Sequence, residues 1–413
     1  MLFVNKAFFT SWDFKRVQRH ISQMLSSSQI TGHIIAAALR DPIEIIALVK
    51  EVIHADGSIL LMNGDTPKGQ AVQSAQEAGC RALFHGSLQE GPYLLNGRSQ
   101  MDIPSLLQFS SGTTGKPKVI RRSWNHVERE IAHYNEALQS DSAEQPIVLV
   151  PVSHSFGLIT GVLSALERGA VPIVITDKNP KFAAHLIQTT PTSIVYAVPY
   201  LFHILQSITK NSISFHKVVS SGAPLTGALF EKMKNCTQHV YQQYGCSELG
   251  CIAIGSDPAS HADVGTPLKH LMVEAEGSEK EPGEIVVTMD ECTVHTHDAG
   301  WKNAEGRLQL AGRMDDLINV TGLKVIPYEV EQVLFGVDGV EEAVVYKTRH
   351  KVWGEAVKAM VVASSHSITP EMLKQRCMER LPNYKVPSTI VVVQEIPKTA
   401  AGKISRKLLS EQY

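Results

Sequence analysis

The chain has 413 residues, with 39 Lys plus Arg against 41 Asp plus Glu and a formal charge of −2. That balance leaves no basic footprint and excludes nucleic-acid binding as the main task. Charged residues at 19% and apolar residues at 43% exclude a disordered chain, and the length predicts two to three domains at about 150 residues each.

At the N-terminus, Lys6 and Asp13 interrupt any signal-peptide core, so no export segment is expected. Residues 34–52 carry apolar side chains at helical spacing. Asp41-Pro42 near the middle reads as a cap and first-turn proline, which predicts that one helix ends there and a second begins. Residues 58–62 (SILLM) read as a short buried strand, 70–78 as a helix and 82–84 as the start of a strand. The alternation continues through strands at 147–151, 171–175, 193–198 and 217–220. The least charged stretch, 146–166, holds two prolines, a histidine and several hydroxyls and does not suit a membrane span. Alternating strands and helices predict an α/β layer architecture with mostly parallel sheets, in which ligands bind beyond the carboxyl ends of the strands.

The rhythm changes near residue 312. Strand 308–310, the polar pair Asp315-Asp316 and strand 317–320 follow one another. Pro327 and Thr369-Pro370-Glu371 each open a helix, and the remaining apolar runs are 342–346, 357–363 and 389–393. We expect a large N-terminal α/β domain over 1–313 and a small mobile α+β domain over 314–413. The six cysteines form no C-x-x-C pair, so a zinc ribbon or thioredoxin motif is not expected. Free thiols in a chain of this size suit a reducing, cytoplasmic setting.

The most informative segment is Gln108-Phe-Ser-Ser-Gly-Thr-Thr-Gly-Lys-Pro-Lys118. Glycines let a backbone approach an anion, hydroxyls and amides donate to phosphate oxygens, and lysines supply charge. It is not a Walker A loop, because Ser110 stands where the first glycine should be and Pro117 follows Gly115-Lys116. Six further motifs follow in order: Pro151-Val-Ser-His-Ser-Phe-Gly157, Ser220-Ser-Gly-Ala-Pro-Leu225, Tyr244-Gly-Cys-Ser-Glu248, Thr296-His-Asp298, Gly312-Arg-Met-Asp-Asp316, and Glu395-Ile-Pro-Lys-Thr-Ala-Ala-Gly-Lys-Ile-Ser-Arg406. Taken singly, His154 also reads as a structural histidine, Tyr244 as core and Lys403 as an exposed lysine. Cys246 and Cys251 read as packing residues.

This ordered set resembles the adenylate-forming superfamily of acyl- and aryl-CoA synthetases, nonribosomal adenylation domains and firefly-type luciferases. The resemblance implies ATP and Mg²⁺ as cofactors. It implies that Ser110, Ser111, Gly112, Thr113, Thr114, Gly115 and Lys118 hold phosphates, and that Gly222, Ala223 and Pro224 hold adenine. It further implies that Tyr244, Gly245, Ser247 and Arg313 contact the nucleotide, that Asp298 binds the ribose hydroxyls, and that Glu248 binds the metal. Lys403, His154 and Glu248 are the implied catalytic residues, and Asp315 the implied hinge of the small domain. The acid pocket would be formed by His154, Tyr196, Ser221, Gly222, Tyr244, Gly245 and Cys246.

Two positions depart from the pattern: Val119 and His297 stand where glycine is usual. Amino-acid adenylation domains place an aspartate within residues 155–164, whereas SFGLITGVLS has no acid, which disfavours an α-amino acid. Small residues beside aromatic ones suit a flat aryl acid. The resemblance extends to the stand-alone enzymes of siderophore assembly that activate 3,4-dihydroxybenzoate. No carrier motif follows Arg406, so the expected thiol partner is a free-standing carrier protein or coenzyme A in trans. Alternatives are an acyl- or aryl-CoA ligase and a non-catalytic nucleotide-binding regulator. Arg121 and Arg122 read as a solvated face or as neighbours of the ATP phosphates, with a coenzyme A patch as the alternative.

Overall fold

The computed structural model describes residues 1–97, 101–109, 118–350, 354–365, 367–397 and 404–412. The chain divides into two compact units. The larger holds residues 1–223, 233–258 and 264–271, and the smaller holds 224–232, 259–263 and 272–413.

The larger unit contains two mainly parallel sheets flanked by helices. In the first, strands Ile34–Leu39, Ser58–Leu61, Ala82–Gly86 and Ser105–Phe109 run parallel, and Val119–Ser123 closes one edge antiparallel to Ser105–Phe109. The helix expected at the start of residues 34–52 is a strand instead. Periodicity cannot separate a buried strand from a buried helix in a short apolar run. Here every residue of Ile34–Leu39 is buried, with a parallel partner on each side that takes its backbone hydrogen bonds. The second helix is as expected: Asp41 caps Pro42–His54 by accepting from the Ile43 N–H at 2.9 Å, with proline in the first turn.

In the second sheet, Ile173–Val174, Gln145–Val148, Ser193–Ala197, Phe215–Ser220 and Thr237–Cys246 lie side by side in parallel. Thr237–Cys246 then turns back antiparallel into Gly250–Ser256. The central strands are apolar on both faces, as strands covered by helices on both sides must be.

The smaller unit is α+β. An antiparallel layer is made by Met272–Gly277, Pro282–Met289, Cys292–Lys302 and Leu308–Arg313. A second sheet joins Ile318–Val320, Leu323–Val325, Val340–His350 and Gly354–Ala363, with Thr389–Val393 parallel to the last. Helices Pro327–Phe335 and Pro370–Arg380 bury Val330, Leu334, Leu373 and Cys377 against this sheet. A small cluster of Ala299, Ala311 and Ile326 packs with Met314 and Leu317, linking the two sheets within the unit.

Candidate active site

In the larger unit the predicted groups gather at the carboxyl ends of four adjacent parallel strands, the location where open α/β sheets bind ligands. His154 lies in the turn after Gln145–Val148 and is exposed. Its N–H donates to the Pro151 carbonyl at 3.2 Å, and its own carbonyl accepts from the Leu158 N–H at 2.9 Å. The turn runs into an eight-residue π-helix, Phe156–Leu163, a rare form that tends to mark functional segments. Gly157 makes the turn possible, because a Cβ there would meet the Pro151 carbonyl oxygen at 2.4 Å.

Gln108, the last buried polar residue before the phosphate segment, fixes both neighbours of His154. Its Nε2 donates to the Ser153 carbonyl at 3.0 Å, and its Oε1 accepts from the Ser155 hydroxyl. The sequence reading missed this role. The available signal was a glutamine closing an otherwise apolar buried run, Leu106-Leu-Gln108.

Tyr196 is the penultimate residue of the next strand, Ser193–Ala197, and is fully buried. Burial pushes its phenol up, against the pull of Arg168. Its hydroxyl lies 3.5 Å from that of Tyr134, and its ring centre 6.0 Å from that of Phe156. Ser221 is buried and donates from its hydroxyl to the Gln243 carbonyl at 2.8 Å, tying the putting-out loop of one strand to the next. Gly222 and Ala223 are exposed beyond it, and exposed Pro224 belongs to the smaller unit.

Tyr244, Gly245, Cys246, Ser247 and Glu248 all fall on the hairpin between Thr237–Cys246 and Gly250–Ser256. Tyr244 pairs with Ala253 but Gly245 with Cys251, so a bulge at Tyr244/Gly245 re-aims the hairpin tip. Tyr244 is buried, Gly245 exposed, and Cys246, Ser247 and Glu248 half-buried. Burial pushes the Cys246 thiol up to about 12, with the Glu248 carboxylate adding to the shift. Lys118 is exposed at the head of Val119–Ser123. Val119 pairs with Phe109 in that ladder, an extended position that requires no glycine.

In the smaller unit a second bulge carries Asp298. Val286 pairs with His295 and Glu284 with Ala299, so residues 296–298 face Ile285 alone and the strand carries two extra residues. The Thr296 hydroxyl donates to the Ile285 carbonyl at 2.7 Å and accepts from the Asp298 N–H at 3.1 Å. Asp298 Oδ1 accepts from Arg313 Nη1 at 2.9 Å, bringing these two predicted residues together. His297 sits in the left-handed region at φ 56°, which explains why glycine is usual there. Asp315 is exposed in the tight turn Met314–Asp316. Ser110, Ser111, Gly112, Thr113, Thr114, Gly115 and Lys403 lie outside the described residues.

Arg122 corrects the expectation of a solvated or phosphate-facing side chain. It is 3% exposed and pairs with Glu130, itself 1% exposed, while Arg121 is exposed.

Among the described residues no cluster of three or more His, Cys, Asp or Glu side chains could hold a metal. Mg²⁺ takes one or two carboxylates plus substrate phosphates in place of an all-protein cage. A half-buried Glu248 at a hairpin tip suits such a role.

Residues 16–292 match the AMP-binding enzyme model, and residues 329–403 match the AMP-binding enzyme C-terminal domain. The chain belongs to the AMP-binding enzymes. It is 47% identical over 409 residues to 3,4-dihydroxybenzoate--[aryl-carrier protein] ligase of Bacillus anthracis, covering 99% of this chain and 98% of that one. It is 26% identical to 4-chlorobenzoate--CoA ligase of an Arthrobacter species, covering 75% of this chain and 66% of that one. O-succinylbenzoate coenzyme A synthetase from Bacillus subtilis, solved with ATP and magnesium ion, shares the fold at a TM-score of 0.84 and 20% identity, covering 99% of this chain and 96% of that one. As an AMP-binding enzyme it is an AMP-forming acid–thiol ligase, with the large α/β domain and smaller C-terminal domain of that fold. Among the described residues no helix is long and apolar enough to cross a membrane.

Proposed function

We propose that this enzyme adenylates an aryl carboxylic acid and passes the acyl group to the phosphopantetheine thiol of a separate aryl carrier protein. The acid we favour is 3,4-dihydroxybenzoate, in the assembly of a petrobactin-type siderophore. The observation that carries this reading is 47% identity along 99% of the chain to a ligase of that acid and carrier. The setting we favour is cytoplasmic.

In the first half-reaction a carboxylate oxygen attacks the α-phosphorus of ATP, and pyrophosphate leaves as that bond forms. Both reactants are anions, so the site must neutralise charge. No general base is needed, because a carboxylate is already ionised at neutral pH. Lys118 and the segment before it would hold the outer phosphates, and Tyr244 would pack on adenine. Asp298, oriented by Arg313, would accept from the ribose hydroxyls. Mg²⁺ held by Glu248 would supply further positive charge to the phosphates. Gln108 would keep His154 facing the acid by fixing the backbone on either side of it. Lys403 would bridge the acid and the α-phosphate. In the second half-reaction the thiolate attacks the acyl carbon and AMP leaves, with Asp315 as the hinge for the exchange of segments between the two steps.

ATP–pyrophosphate exchange across a panel of acids tests this reading. We expect strong exchange with 3,4-dihydroxybenzoate and little with 2,3-dihydroxybenzoate, benzoate, coumarate, an α-amino acid or a medium-chain fatty acid. Exchange confined to aliphatic acids would overturn the aryl assignment. The relative that acts with coenzyme A on 4-chlorobenzoate favours coenzyme A as the second candidate acceptor. Acyl transfer to coenzyme A but not to an aryl carrier protein would decide for it.

A further inference from the structure

We infer that the buried Arg122–Glu130 pair is a positioning device for the ATP site, holding strand Val119–Ser123 and the Tyr244–Glu248 hairpin in one register. This rests on the reading of that site as an ATP site.

The two charges come from elements with different duties. Arg122 lies on Val119–Ser123, the strand that leaves the phosphate segment, and pairs across the ladder with Leu106. Glu130 lies on the helix Trp124–Leu138, whose start is anchored where the Trp124 indole N–H donates to the Gly57 carbonyl at 3.0 Å. Arg122 Nη2 donates to Glu130 Oε2, and Glu130 Oε1 accepts from the Cys251 N–H at 2.8 Å. Cys251 is the ladder partner of Gly245, so this carboxylate holds the base of the hairpin that carries Tyr244, Ser247 and Glu248. Gly250 closes over the pair at φ 77°. A Cβ there would come within 2.3 Å of Glu130 Oε2 and 2.6 Å of both terminal nitrogens of Arg122.

A pair retained only for stability would be a poor choice, because buried ion pairs are often replaceable by apolar residues without loss of stability. Nε and Nη1 of Arg122 have no hydrogen-bond partner among the described residues. Its distinguishing property is its reach. One guanidinium and one carboxylate span strand Val119–Ser123, the helix Trp124–Leu138 and the base of the hairpin. A displacement of about 1 Å between groups that bind one reactant can cost about 10²-fold in rate.

The test is the double substitution Arg122→Met with Glu130→Leu, which removes the charges and the Cys251 contact while keeping an apolar fill. We expect it to fold, by circular dichroism and melting. We expect its KM for ATP to rise by about 10-fold or more while its KM for the aryl acid changes by less than about 3-fold. Arg122→Lys, which keeps the charge and loses the fork, should fall between wild type and the double variant. Should the double variant not fold, Arg122→Lys is read by the same split. Unchanged ATP kinetics in a folded variant, or equal losses for ATP and acid, would overturn the inference while leaving the proposed function intact. Wild-type protein that exchanges with no acid would overturn the proposed function. Calorimetric titration of ATP then decides the pair separately: weaker binding by the double variant supports it, and equal binding or none in wild type sinks it.

Discussion

His297 shows how a single residue departs from its motif and what replaces the missing freedom. A side chain in the left-handed region is disfavoured by roughly 1–2 kcal/mol relative to glycine. Here Glu284 offsets part of that cost. Its Oε1 accepts from the His297 N–H at 3.1 Å and lies 3.1 Å from His297 Nδ1, while Oε2 lies 3.0 Å from His295 Nδ1. We therefore expect His297→Gly to be more stable than His297→Ala by about 1 kcal/mol in urea melts, since alanine keeps the strain and loses the ring contact. The opposite order would show that the ring contact, not the backbone, dominates. Glu284 also sets an acid limit. The hydrogen bond from His295 holds its carboxyl below the ordinary value of 4.5, against a smaller opposing effect of burial. A lowered carboxyl stabilises the fold above its unfolded value, and that contribution is lost as pH falls through the lowered one. Glu284→Gln should thus flatten the acid side of the stability profile below about pH 4.5 and leave it alike in shape above. A profile unchanged below that pH would remove the carboxylate from the account.

At the scale of elements, the C-terminal helix Arg406–Gln412 is anchored by its first residue. Arg406 donates from Nε to the Val345 carbonyl at 3.0 Å, from Nη1 to Asp316 at 2.9 Å, and from Nη2 to Glu331 at 2.8 and 3.0 Å. Burial alone would lower its pKa, but Glu331 and Asp316 outweigh that and hold it above the ordinary value. In the sequence Arg406 reads as the end of the lysine motif; in the fold it is a structural tether between the turn Met314–Asp316, helix Pro327–Phe335 and the C-terminal helix. Arg406→Ala leaves Glu331, 5% exposed, without its countercharge, and we expect a loss of about 3 kcal/mol. Limited proteolysis should then cut first in the smaller unit. Cutting that begins in the larger unit would contradict this. Element boundaries were legible wherever a cap or proline marks them, as at Asp41-Pro42 and Thr369-Pro370. Residues 34–39 were misread because six apolar residues in a row have no period, and only the flanking strands decide the form.

At the scale of the whole molecule, the chemistry divides into two half-reactions that need different groups. We expect Lys403→Ala to abolish ATP–pyrophosphate exchange while leaving transfer from a supplied acyl-adenylate to the carrier largely intact. Equal loss of both would show that one arrangement of the chain serves both steps. The order of motifs, the α/β class and the change of rhythm near residue 312 were all legible in the sequence, because each depends on local residue type and spacing. Contacts group residues 272–413 into one unit, a grouping that depends on tertiary packing and not on local pattern.

What the sequence determined by itself was the kind of chemistry: glycines, hydroxyls, lysines and carboxylates in a fixed order carry the resemblance to nucleotide-dependent ligases. What the tertiary structure alone decided was how those motifs are held. The bulges at Tyr244 and Asp298, the grip of Gln108 on both sides of His154, and the Arg122–Glu130 pair with its Cys251 contact beneath Gly250 join residues up to 121 positions apart. Hydrogen bonding and burial between such distant positions depend on the packed backbone, and no local pattern of residue types encodes them.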